Sequence, residues 1–277
     1  MKHNIFILAS ILLLASSCKK ETSNSVTTQP NNSGNNGNNN TLPDLTYTKK
    51  TSPVFFDYTS TGCPGCGSWG KPTYYSIIKS QPEVTPLAVH IKYGDPMITD
   101  ESNAIAANRH GDIFTPQLWV GDSNAVLLSG AYISGQQSID RANKLINETK
   151  MQSQPAVSAH VQKNGNSWKV KYGASFADIN TEGDYNLACY LTEDGILATQ
   201  SSSANNPAVH NHVIRASAQG AFGSSFNKAS LSTKNEITFE HNFDISDKYK
   251  AENTYITVVL WRKSGARYIP LNGYVLK

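Results

Sequence analysis

Cysteine is scarce in this chain, with four in 277 residues. That is too few for the disulfide-dense frameworks that hold small secreted domains together. Net charge is nearly absent too: 24 basic side chains against 21 acidic leave +3, which excludes a dedicated nucleic-acid binder or a polyanion trap. Past the N-terminus no apolar run approaches the ~18 residues that read as a membrane helix. What is present is an ordinary globular composition. Hydrophobic residues are 39% of the chain and glycine adds 19 residues, so a buried core is available and whole-chain disorder is excluded. At roughly 100–150 residues per domain, the length suits two.

Residues 1–17 read as a secretory signal. Lys2 and His3 precede the apolar stretch IFILASILLL (5–14), and Ala15, Ser16 and Ser17 lead to Cys18. Such a stretch makes a helix of about 15 Å, half of what a bilayer needs. The segment resembles the lipobox of bacterial lipoproteins, with Ala15 where Leu is usual. The resemblance implies cleavage before Cys18 and acylation of its thiol, a membrane attachment worth ~0.8 kcal/mol per buried CH₂. Lys19, in place of Asp, implies the outer membrane. A plain signal peptide with an incidental Cys18 is the alternative. From Cys18 to residue 48, Asn, Ser, Gly and Thr dominate and almost nothing is apolar before Leu42, the composition of a flexible tether.

Residues 49–152 alternate strand and helix signals. PVFFDY (53–58) reads as a buried strand, and Cys63-Pro64-Gly65-Cys66 follows it. A helix carrying Trp69, Tyr74, Ile77 and Ile78 comes next, with Pro72 as a kink, and then a strand, VTPLAVHIKY (84–93). Thr99 opens a second helix that stops near Gly111. Residues 118–120 and 125–128 read as a hairpin about Gly121-Asp122. Ser134-Gly135-Gln136-Gln137 fits a capping box for a helix with Ile139, Ala142, Leu145 and Ile146 on one face. The order β-α-β-α-β-β-α points to an α/β or α+β sheet protein. Cys63 and Cys66 are open to three readings: a reactive dithiol, a structural staple, or half of a zinc site lacking its second pair. Gly67, not His, follows Cys66, so c-type haem attachment is excluded. No cofactor and no metal site is expected.

The region resembles the thioredoxin fold on three separate points: CPGC at a strand-to-helix junction, Thr115-Pro116 ahead of the hairpin, and Asp57 six residues before the first cysteine. The resemblance implies a cis proline facing the dithiol and a buried acid beneath it. A cysteine at a helix start meets unpaired N–H groups and the positive end of the helix dipole, which lowers its pKa. Cys63 is thus the candidate nucleophile and Cys66 the resolving thiol. Pro64 removes an N–H at a position where it has no partner. Asp57, if buried, has a raised pKa and accepts the Cys66 proton. Thr115 and Pro116 hold a partner strand, with Trp119, Pro64 and Gly65 lining the groove. His90 is either a second proton-relay group or a satisfied strand histidine.

From Pro155 the period changes. Runs at 157–162, 168–176, 185–191, 213–218, 236–243, 255–261 and 268–275 alternate between turn clusters, the pattern of a β-sandwich over 153–277. Tyr255–Trp261 is apolar on both faces and hence central; Cys189 reads as a buried free thiol. In an extended chain His210 and His212 point to one side, half of a metal site without an evident third ligand. YNLACYLTEDG (185–195) with HNHVIR (210–215) resembles the C-terminal part of the Omp-28-related outer-membrane lipoprotein family, which joins a lipoprotein signal, a thioredoxin-like domain with CxxC and a β-sandwich. The expectation is an outer-membrane-anchored thiol–disulfide oxidoreductase of the envelope acting on protein thiols and disulfides. A surface binding or adhesion lipoprotein with a fixed disulfide is the rival.

Overall fold

Phe55 and Phe56 point to opposite faces of one strand, and both are buried. Burying each stabilises the fold by ~1.5–3 kcal/mol, and doing so on both faces requires a sheet covered on each side. The computed structural model describes residues 41–277 apart from 93, 127–134, 178 and 232; the expected signal, Cys18, Ser134 and the end of the second hairpin strand lie outside these. The first part contains β1 (Val54–Thr59), α1 (Lys71–Ser80), β2 (Thr85–His90), α2 (Asp100–Ala107), β3 (Gln117–Val120), β4 (Ser123–Asn124) and α3 (Gly135–Lys150). Then come β5 (Ala156–Asn164), β6 (Ser167–Ser175), β7 (Asp184–Glu193), β8 (Ile196–Ala198), β9 (Ala208–His210) and β10 (Val213–Ser217). The chain continues with β11 (Ser224–Asn227), β12 (Glu236–Asp244), β13 (Thr254–Ser264) and β14 (Arg267–Leu276).

The result is mostly β, with a mixed sheet and few helices. Among the described residues a nine-stranded sheet has the order β14-β13-β7-β10-β2-β1-β3-β4, with β11 beside β7. β1 and β2 run parallel, β3 antiparallel to β1, and β10 joins β2 in parallel through Val213 and Ala88. The sheet therefore passes across residues 152–153, where the sequence suggests a domain boundary. A three-stranded sheet, β12-β6-β5, packs over the β7–β13 half. Val170, Tyr172, Leu187, Cys189, Ile256 and Val258 fill the space between the two, which is a sandwich. The remaining half is covered by α1 and α3 on one face and α2 on the other.

Some expectations shift. Pro72 is the second residue of α1, which directly follows the π-helical turn Cys66–Gly70 that leads into the helix. Thr99 does cap α2, its hydroxyl accepting from the Ser102 N–H at 3.1 Å. The second strand of the β3 hairpin lies at Ser123–Asn124, earlier than 125–128. The tail expected as tether is already packed by Leu42, which is buried, and Asp44 pairs with Lys171 at 3.0 Å.

Candidate functional site

β1 and β2 end side by side, Thr59 opposite His90, and the chain leaves β1 through Ser60-Thr61-Gly62 into the CPGC segment. Cys63 and Cys66 form a disulfide. The Cys63 N–H donates to the Ser60 carbonyl at 3.1 Å, and the Gly67 N–H donates to the Cys63 carbonyl at 3.3 Å. The Cys66 N–H donates to Cys63 Sγ at 3.1 Å, the type of contact that favours a thiolate over a thiol. Residues Cys66–Gly70 form a π-helical turn that runs into α1. Cys66 is fully buried and Cys63 is 6% exposed.

Pro116 lies against this turn. A Cβ placed on Gly65 would sit 3.2 Å from Pro116 Cδ, and one on Gly70 would sit 2.6 Å from Pro116 Cβ. The glycines let the ring approach the backbone within the CPGC segment and just after it. The Thr115–Pro116 peptide is cis. Pro64 is exposed and Gly65 half-buried. Thr115 is half-buried and its hydroxyl has no hydrogen-bond partner among the described residues.

Asp57 points to the α1 side of β1, the side of Phe55 and Tyr74, and is 4% exposed. Burial pushes its carboxyl up from 3.8 to about 7, against the opposing pull of Lys71. The same burial pulls the Lys71 ammonium down. Neither Asp57 Oδ1 nor Lys71 Nζ makes a hydrogen bond among the described residues. Lys71, in the first turn of α1, is thus the cation facing Asp57, a role no spacing in the sequence discloses.

His90 is taken up elsewhere. Its Nδ1 lies 2.8 Å from Asp95 Oδ2, and Asp95 is held in turn by the N–H groups of Thr61 and Met97. One ring nitrogen of His90 is thus paired, while Nε2 is buried with no hydrogen-bond partner among the described residues. Trp119 faces away from the dithiol. Neighbours in a strand alternate between faces, so Leu118 packs with α1 while Trp119 packs with Tyr58, Ile105 and His110 on the α2 side. The lining role expected of it is not what the structure shows. His210 and His212 also part company: His212 has φ +61, which breaks the extended run. His210 stacks edge-on against His90 at 5.2 Å, whereas His212 bonds the Tyr255 hydroxyl at 2.8 Å. Burial holds both imidazoles well below 6.5, at about 3 and about 4. No group of three potential metal ligands occurs among the described residues. Cys189 is a buried free cysteine whose thiol burial pushes up.

The loop between β8 and β9 was not anticipated at this site. Gln200, 1% exposed, reaches across to the CPGC turn, and its Nε2 donates to the carbonyls of Ser60, Thr61 and Cys63 at 3.1, 3.2 and 3.1 Å. A cavity of about 560 Å³ lined by Tyr47, Lys50, Lys150, Gln152 and Ile179 contains none of these groups. Chemistry, not concavity, marks the candidate site.

The class these observations define is a mostly-β protein with a mixed sheet and a buried CxxC disulfide. No known family's sequence profile matches the chain, and no curated protein does. Among solved structures, HBP35 of Porphyromonas gingivalis is similar over 83% of this chain and 76% of its own, at 15% identity and a TM-score of 0.65. A protein from Agrobacterium tumefaciens aligns over 83% of this chain and 95% of its own, at 14% identity and a TM-score of 0.47. A domain of the outer membrane lipoprotein Omp28 from Porphyromonas gingivalis aligns over 44% and 84%, at 17% identity and a TM-score of 0.32. The likeness to HBP35 is one of fold.

Proposed function

We propose that this chain is a thiol–disulfide oxidoreductase of the cell envelope, with a thioredoxin-like region over 49–152, a β-sandwich over 153–277 and a lipid anchor at Cys18 in the outer membrane. The observation that carries the reading is the Cys63–Cys66 disulfide at a helical turn, with Pro116 packed on Gly65 and Gly70 and a buried acid, Asp57, on the strand that leads into the turn. In the reduced protein, the Cys63 thiolate attacks one sulfur of a partner disulfide. The partner's other sulfur leaves as a thiolate, and a mixed disulfide remains. Cys66, its proton passed to Asp57, then attacks Cys63 Sγ and releases the second partner thiol. The partner is reduced by two electrons and the Cys63–Cys66 bond is formed. Run backwards, the same steps oxidise a partner dithiol. The backbone at Thr115 and Pro116 supplies hydrogen bonds to an extended partner strand.

The near-burial of Cys63 favours one rival: a surface binding lipoprotein in which the disulfide is fixed. The two separate on a Cys66→Ser variant expressed in cells. Trapped mixed disulfides through Cys63 are expected. None trapped, with a reduction potential below about −300 mV, would give the structural disulfide and the binding role.

A further inference from the structure

Residue 63 is held at both its N–H and its carbonyl, by two local backbone groups and by one side chain distant in sequence. Its N–H is fixed by the Ser60 carbonyl, and its carbonyl is shared by the Gly67 N–H and Gln200 Nε2. The same Gln200 amide nitrogen gathers the carbonyls of Ser60 and Thr61, while its Oε1 has no partner among the described residues. The amide therefore acts here wholly as a donor. The loop that bears it lies directly on the turn. The Ser201 N–H donates to the Thr61 carbonyl at 2.8 Å, and a Cβ on Gly67 would run into the Ser201 carbonyl and come within 2.9 Å of Ser203 N. Asn206 Oδ1 accepts from the Gln200 N–H at 3.2 Å and closes the loop on itself. Behind the loop, Ile196 and Ala198 anchor the β8–β9 hairpin on Ala88, Met97 and Val213.

We propose that Gln200 is a positioning residue for the Cys63 nucleophile: by clamping three carbonyls of the Ser60–Cys63 turn it fixes Cys63 Sγ against the N–H of Cys66. The physical step is preorganisation. A hydrogen bond to an ionised sulfur stabilises the thiolate only if donor and sulfur stay aligned, and a buried amide whose Nε2 is bonded to three carbonyls of the turn keeps that turn from relaxing. Three carbonyls converging on one point repel each other when the donor is removed, so the turn is expected to open where the thiolate needs it closed.

The proposal rests on the reading of Cys63 as the redox nucleophile, and the test separates the two. In the full chain carrying Cys66→Ala, alkylation of Cys63 by iodoacetamide is followed against pH by peptide mass, with and without Gln200→Met, which keeps the side-chain length and removes the donor. The Gln200→Met variant is expected to shift the alkylation midpoint upward by about one pH unit, a roughly tenfold fall in thiolate well below the midpoint. A variant profile that superimposes on a depressed parental one overturns the clamp and leaves the oxidoreductase reading standing. A variant that reacts faster with the same midpoint also overturns it, since the loop then only shields the sulfur. A parental midpoint near ~8.5 counts against the nucleophile itself. If Gln200→Met does not fold, Asn206→Ala loosens the loop from its exposed side; a smaller upward shift is expected and an unchanged midpoint refutes the clamp.

Discussion

Replacing Asp57 by asparagine removes a charge that the fold makes costly. The carboxyl is buried on the α1 side of β1 and its proton is held up to about pH 7, where an ordinary carboxyl loses it at 3.8. At about 1.36 kcal/mol per pH unit, that interval corresponds to about 4 kcal/mol. The direction follows from proton counting. Between 3.8 and about 7 the folded protein keeps a proton that the unfolded chain has released, so stability from this group is full at acid pH and lost as pH rises through 7. Urea unfolding of both proteins, with the disulfide intact, measures it. Between about pH 4.5 and about pH 8.5 the Asp57→Asn protein should gain about 3 kcal/mol on its parent. Titration of His210 and His212 is common to both and cancels in the difference. A difference that stays flat within about 0.5 kcal/mol over that range would show that Asp57 ionises freely, and the proposal that it accepts the Cys66 proton would go with it.

Other perturbations test neighbouring parts of the argument. Gly70→Ala drives a methyl group to 2.6 and 2.7 Å from the Pro116 ring, an overpacking expected to cost about 1–3 kcal/mol in urea unfolding. Gly62→Ala, whose added Cβ meets nothing within 4 Å, is the control, and equal effects would mean that Pro116 does not press on the turn. His212→Asn suits the φ of +61 and removes an imidazole held neutral down to about 4. Because a histidine so depressed contributes stability above 6.5 that is lost as pH falls toward its folded value, the variant should lose about 2 kcal/mol less between about pH 6 and 4.5. An unaltered acid slope would place the acid sensitivity elsewhere.

Much of the architecture is legible one strand at a time. β5, β6, β7, β12, β13 and β14 fall on the alternating runs because each is nine residues or longer, long enough for the period to show. β8, β9 and β11 are three or four residues long and carry no period to read. CPGC, Asp57 and Pro116 could be singled out because their residue types are unusual where they stand. Lys71, Gln200 and the divergence of His210 from His212 could not. Each depends on where a remote segment lands, and a common polar residue in a loop gives no local sign of that. Trp119 fails for a simpler reason: one step along a strand exchanges faces, and a position near a proline does not fix the parity.

The remote landing has a cause in the sheet itself. β10 runs parallel to β2, and its first residue, Val213, pairs with Ala88 close to the end where β1 and β2 stop. Parallel strands cannot be joined by a tight turn, so whatever precedes β10 must be delivered to that end of the sheet. What precedes it is the β8–β9 hairpin, bearing Gln200 at its loop and His210 at its base. The Ala88 N–H confirms the approach, donating at 2.7 Å to the His212 carbonyl just before β10 begins. The half of the chain that builds the sandwich is therefore committed by topology to furnish contacts to the CPGC turn. Loosening β10 from β2 should therefore disturb the setting of Cys63.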